Sequence, residues 1–213
     1  MLSDLKIWGR KAAFNVQKVL WCAEELGLVY EQVDAGQHYG KNKEPFFLAM
    51  NPNGRVPVIE VQGMALWESH AIIRFLCAHA GTSGLSADDP VRWAHGDQWL
   101  DWLACTLYYP TFRNYYLYQT RTPADRKDPA IVKTMRDEVF ASMRILETQL
   151  AGRDTILGDG LSSADFSGGV IVDKFVRIEG ELPSFPAIRA YHNALLKRPL
   201  FCRHVNSYAL DAV

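Results

Sequence analysis

The chain has 213 residues, 48% hydrophobic and 22% charged, enough for one large domain or two small ones without support from disulfides or metals. Its 23 Lys and Arg against 24 Asp and Glu leave a net charge of −1. That balance excludes the basic excess of a dedicated nucleic-acid binder, a polybasic membrane patch and a highly charged disordered chain.

No apolar run approaches the roughly 18 residues of a membrane span. Met1-Leu2-Ser3-Asp4-Leu5-Lys6 lacks the apolar centre of a secretory signal. Cys22, Cys77, Cys105 and Cys202 lie far apart with no Cys-x-x-Cys spacing. The first three sit in helix-like apolar contexts and read as buried free thiols, which points to the reducing cytoplasm. No His-Glu-x-x-His and no cysteine pair at zinc spacing occur, so no metal is expected. A phosphate-binding Gly-x-x-x-x-Gly-Lys run is also missing.

Lys6-Ile7-Trp8 reads as a short strand closed by Gly9. Val16, Val19, Leu20 and Ala23 then recur at helical spacing, with Gly27 as the stop. Leu28 to Val33 predicts a second strand, and Pro45 opens a short helix ending in the turn formers Asn51-Pro52-Asn53-Gly54. Val56 to Val61 and Ala65 to Trp67 predict a hairpin, followed by a helix from about Glu68. This β-α-β, α, β-β, α order predicts an α/β domain over residues 1–80, with a right-handed crossover and an antiparallel edge.

Residues 81–88, Gly-Thr-Ser-Gly-Leu-Ser-Ala-Asp, have linker composition. Residues 89–213 are dominated by helix signals and predict an all-α domain. Asp89 before Pro90 is a helix start, and Val132, Met135, Val139, Met143, Leu146 and Leu150 form a helical stripe. Ser162-Ser163-Ala164-Asp165 is a capping box.

Three patches carry chemistry. Pro57 enters a strand, where a trans bond is the ordinary reading and a cis bond would leave the Val56 backbone free to pair with an extended peptide. At Trp67-Glu68-Ser69-His70, helix N–H groups and the Ser69 hydroxyl suit a carboxylate, while Glu68 suits an ammonium. Taken alone, both residues read first as helix caps. The basic turn Gly9-Arg10-Lys11 opens a helix and favours a nearby anion, or is plain solvated loop charge.

In this order, and over essentially the whole chain, these stretches resemble the cytosolic glutathione transferase family, in its bacterial-type branch. The likeness rests on Gly9-Arg10 with Asn15-Val16-Gln17-Lys18-Val19, on Asn51 to Val58, on Glu68 to Ile72, and on Gly158-Asp159 before the capping box. It implies a thioredoxin-like domain that binds glutathione, followed by an all-α domain. It further implies a cis Pro57, Val56 pairing with the cysteinyl unit, and Glu68 with Ser69 on the γ-glutamyl end. Asn53, Arg55 and Asn42 would surround the glycine carboxylate and its loop. A small hydrophobic electrophile would lie against the helical domain near Trp8, Tyr109, Phe112 and Arg113. Family members are usually cytoplasmic homodimers that use glutathione as co-substrate and hold no permanent cofactor; nucleic acid and membrane are not expected partners.

One departure stands out. Many relatives place a serine or threonine about where Ala13 stands, and others a cysteine; here neither is present. Asn15 is the remaining side-chain donor, read either as the sulfur ligand or as a helix cap, with Arg10 at longer range. The expected function is conjugation of the glutathione thiolate to an electrophile. Glutathione-dependent peroxide or disulfide reduction, and a binding module with little catalysis, are the alternatives.

Overall fold

β1 (Lys6–Trp8) lies inside a four-stranded sheet, flanked by β2 (Glu31–Val33) on one side and by β3 (Val58–Val61) and β4 (Met64–Trp67) on the other. β1 and β2 are parallel, with Ile7 opposite Gln32; β1–β3 and β3–β4 are antiparallel, with Ile59 opposite both Ile7 and Leu66. The computed structural model describes residues 2–80, Leu85 and residues 88–210. Most of the expected 81–88 linker therefore lies outside the described residues.

α1 (Phe14–Glu25) connects the parallel pair, and α2 (Pro45–Met50) and α3 (Ser69–Ala80) complete this layer. α1 is not the one-sided amphipath its spacing suggests, because every residue from Val16 to Ala23 is buried. It packs against α3 and against a C-terminal strap, Pro199–Phe201 continuing as wide π-type turns over Cys202–Asn206. Trp21 meets Phe201 edge-on at 5.0 Å. The second strand is shorter than expected, beginning at Glu31, because Leu28 bonds back to Ala23 to finish the helix.

Contacts divide the chain into two compact units, one reaching to Trp93 and including Pro199–Tyr208, the other formed mainly by Ala94–Arg198. The strap thus belongs with the first unit, although the sequence grouped it with the helical residues 89–213.

The second unit is helical. α4 (Pro90–Trp102) starts on Asp89, whose carboxylate accepts from the Val91 and Arg92 N–H groups at 3.0 Å each. It continues through π turns at Leu103–Phe112 into α5 (Arg113–Arg121). Cys105, expected to be buried, is exposed, since the wider turns shift the angular spacing of side chains. α6 (Pro129–Leu150) buries Val139, Met143, Leu146 and Leu150, the C-terminal part of the expected stripe. α7 (Ser163–Glu179) and α8 (Pro186–Leu196) complete the unit. No helix among the described residues is long and apolar enough to cross a membrane.

Candidate functional site

Gly9 sets the site's geometry. Its φ is +148°, and a Cβ there would meet Val16 Cγ2 at 2.5 Å and Val56 Cβ at 3.1 Å. Only glycine lets the end of β1, the first turn of α1 and the loop before β3 close on one another. The Arg10 N–H then donates to Ala35 O at 3.1 Å, and the Gln17 amide donates to Ala12 O at 3.3 Å, bracing the turn from both sides.

Ala13 is the N-cap of α1 and supplies no side-chain cap. Asn15 is therefore not the cap that the sequence allowed. It stands at the second helical position, half-buried, and its amide makes no hydrogen bond to any described residue. Arg10 is 7% exposed in the same turn.

The Val56–Pro57 peptide bond is cis, as the family likeness implied and against the ordinary trans reading of the residues alone. Val56 is half-buried and Pro57 buried immediately before β3. The loop leading to them is tied from within. Asn51 donates to Arg55 O at 2.8 Å and accepts from the Asn53 N–H and amide at 3.0 Å each. Asn42 donates to Gly54 O at 2.7 Å, and a Cβ on Gly54 would strike Asn42 O at 2.7 Å. Asn42 and Asn53 thus shape the loop, while the Arg55 side chain is exposed.

At α3, Glu68 adopts φ +72°, a left-handed conformation that costs a non-glycine residue about 1–2 kcal/mol. Its carbonyl accepts the Ile72 N–H at 2.9 Å, the first hydrogen bond of the helix, and the residue is exposed. Ser69, the first residue of α3, is 6% exposed. The N–H groups of the first turn have no intrahelical partner.

Behind Glu68 lies a group that pattern reading missed. Lys18 is 2% exposed, its Nζ 3.5 Å from His70 Nε2 and 5.1 Å from the Phe14 ring centroid. Burial pushes the Lys18 ammonium down to about 7, against the pull of the Glu68 charge. Burial also drives His70 well below its ordinary value, reinforced by Lys18 and Arg74. The only signal in the sequence was a lysine inside a helix that proves to be buried on all sides.

The expected electrophile contacts divide. Trp8 donates to Glu60 Oε1 at 2.5 Å and packs on Phe46 and Phe47 at 5.7 and 6.1 Å, which spends its ring within the first unit. Phe112 is fully buried and stacks on Tyr116 at 6.0 Å, so it belongs to the core of the second unit rather than to a ligand surface. Tyr109, 49% exposed, and the half-buried Arg113 do offer surface.

Residues 3–77 match the family model for the glutathione S-transferase N-terminal domain. Glutathione S-transferase GstB of Escherichia coli (strain K12) is 34% identical over 197 residues, spanning 92% of this chain and 94% of its own. The chain belongs to the glutathione S-transferase family. A solved theta-class glutathione S-transferase from Xanthomonas axonopodis pv. citri, with glutathione bound, matches this transferase with a TM-score of 0.88 and 32% identity, over 99% of this chain and 100% of that one. Elongation factor 1-gamma 3 of Oryza sativa subsp. japonica is 28% identical across 94% of this chain but only 47% of its own length. The thioredoxin-like first unit and helical second unit are those of the family, and its members support a glutathione-related transferase function.

Proposed function

We propose that this transferase binds glutathione in its first unit, holds the thiol as thiolate and delivers it to a small hydrophobic electrophile. The start of α3 carries this reading. An exposed carboxylate on a left-handed residue stands beside a buried serine and the open N–H groups of a helix, which suits an ammonium and a carboxylate on one carbon. Val56 would pair through its backbone with the cysteinyl unit, next to Pro57, and Arg55 would meet the glycine carboxylate.

A free thiol has a pKa near 8.5, and lowering it by about two units takes roughly 2.7 kcal/mol of selective stabilisation. A hydrogen bond to a charged acceptor supplies about 1.5–3 kcal/mol and a helix N-terminus about 0.3–1 more. Asn15 has the unengaged amide and the first-turn position that this role needs, with Arg10 as a longer-range cation. Tyr109 and Arg113 are the proposed electrophile contacts in the second unit. The same reading takes the protein as a cytoplasmic homodimer with glutathione as co-substrate.

Calorimetry with millimolar glutathione tests binding: heat is expected, Ser69→Ala should weaken affinity at least about tenfold, and no heat refutes the reading. With glutathione saturating, Asn15→Ala should lower kcat on an aryl halide about 10- to 100-fold. An unchanged kcat removes Asn15 from the thiol. A second reading, a glutathione-binding module with little catalysis, draws support from Ala13 and from the likeness to elongation factor 1-gamma. Heat without turnover of any electrophile would favour it.

A further inference from the structure

The seam between α1 and α3 carries a second pair of facing groups besides Lys18 and His70. Cys22 Sγ and Cys77 Sγ lie 3.8 Å apart, within hydrogen-bond reach for two thiols, although the residues are 55 positions apart in the chain. Each is the ninth residue of a twelve-residue helix, Phe14–Glu25 for α1 and Ser69–Ala80 for α3. At the α-helical rise both sulfurs lie roughly 12 Å along their helices from the starts that carry the candidate site. Both residues are fully buried, and the two helices pack directly on one another.

A disulfide holds its sulfurs about 2.05 Å apart, so closure asks for an approach of roughly 1.8 Å. That is a movement on the scale of a side-chain torsion. Burial and the hydrogen bond with Cys77 push the Cys22 thiol well above its ordinary value, so the closed pair is slow to react. Reaction waits on local opening. Cys77 sits in the last turn of α3, and helix ends open at the lowest cost. The same burial favours the neighbouring thiol over any bulkier partner, because it is already in contact when one sulfur is oxidised.

We propose that Cys22 and Cys77 form a redox-responsive dithiol, closed to a disulfide by a small hydroperoxide and reopened by a small thiol. The sulfur first exposed attacks the peroxide oxygen, the O–O bond breaks, and an alcohol or water leaves as a sulfenic acid forms. The second sulfur then displaces water from that sulfenic acid and the S–S bond forms. Two thiols are oxidised, the peroxide is reduced, and both thiol protons end in the departing alcohol and water. Two molecules of a small thiol reverse the change and leave as their own disulfide. Disulfides of the reducing cytoplasm are mostly transient and redox-sensing, which is the behaviour this pair would show.

The test uses the full chain as the Cys105→Ser, Cys202→Ser variant, which removes the exposed and the half-buried thiol. No glutathione is present, so the outcome is independent of the ligand reading. After treatment with hydrogen peroxide, unfolding and alkylation, mass spectrometry of unreduced peptides should show residue 22 linked to residue 77, with two hydrogens lost and no oxygen gained. Dithiothreitol should restore both thiols. The oxidised chain should melt about 5 °C or more above the reduced one, since the link closes a long loop. Adding Cys77→Ala should abolish both the link and the gain. Full alkylation of both cysteines after peroxide, sulfinic acid at either in place of the link, a link between two chains, or an unchanged melting temperature would overturn the proposal.

Discussion

At the start of α7 the Asp165 carboxylate accepts four hydrogen bonds, from the Ser162 N–H at 2.8 Å, the Ser162 hydroxyl at 2.7 Å, the Ile156 N–H at 2.9 Å and Tyr191 Oη at 3.0 Å. At the start of α3 the Glu68 carboxylate is exposed, its backbone is left-handed, and Ser69 lies within the helix rather than before it. Serine and a carboxylate occur at both helix starts. In α7 they close on each other and on the surrounding core, which makes a folding element. In α3 they are kept apart, so the donors and the acceptor remain available to something else. A polar motif becomes a candidate site where its groups are withheld from one another.

The largest effect expected from this contrast is on stability. Asp165→Ala leaves several buried donors without an acceptor and should lower unfolding stability by about 3–5 kcal/mol, read by thermal or denaturant unfolding. A loss below about 1 kcal/mol would erase the distinction between the two helix starts.

The next effect concerns Lys18, the buried cation behind Glu68. Its folded-state value of about 7 lies below the roughly 10.4 of an unfolded lysine. Between those values the unfolded chain binds more protons, so stability should rise with pH, by up to about 1.4 kcal/mol per unit. Below pH 7 the ammonium is charged in both states and its burial penalty is constant. Lys18→Met should flatten the rise between about pH 7 and 10, measured as unfolding free energy against pH. An unaltered slope in the variant would show that Lys18 does not carry it.

Glu68→Gly is the smallest change for the fold and the most diagnostic for the site. Glycine adopts φ +72° without steric cost, so stability should stay level or rise by up to about 1 kcal/mol. Calorimetric affinity for glutathione should nevertheless fall about tenfold, because the ammonium acceptor is gone. A variant that binds as well as the parent would return Glu68 to the role of a turn residue.

The candidate residues were legible because their signals are local. Pro57 at a strand entrance, Glu68-Ser69 at a helix start and the basic turn at Arg10 are dipeptide-scale features whose chemistry follows from residue type. Lys18 was not legible, since a lysine in a helical stretch normally faces water. Its burial depends on α3 covering α1, which sets His70 against it. Phe112 and Trp8 could not be sorted from Tyr109 for the same reason: aromatic residues serve core and surface alike, and only packing assigns them.

Composition, periodicity and turn chemistry determined by themselves an α/β region followed by helices and the capping box at Ser162, while a few motif stretches carried the resemblance to a family. These rest on interactions between residues a few positions apart. Tertiary structure decided that residues 199–208 return to the first unit and that Gly9 must be glycine, since Val16 and Val56 both press on it. It also decided that His204 is buried beside Glu24, 180 residues earlier in the chain. The physical reason is range: hydrogen-bonded turns and helices are written in neighbouring residues, whereas burial and the charges facing a buried group depend on segments that meet only after folding.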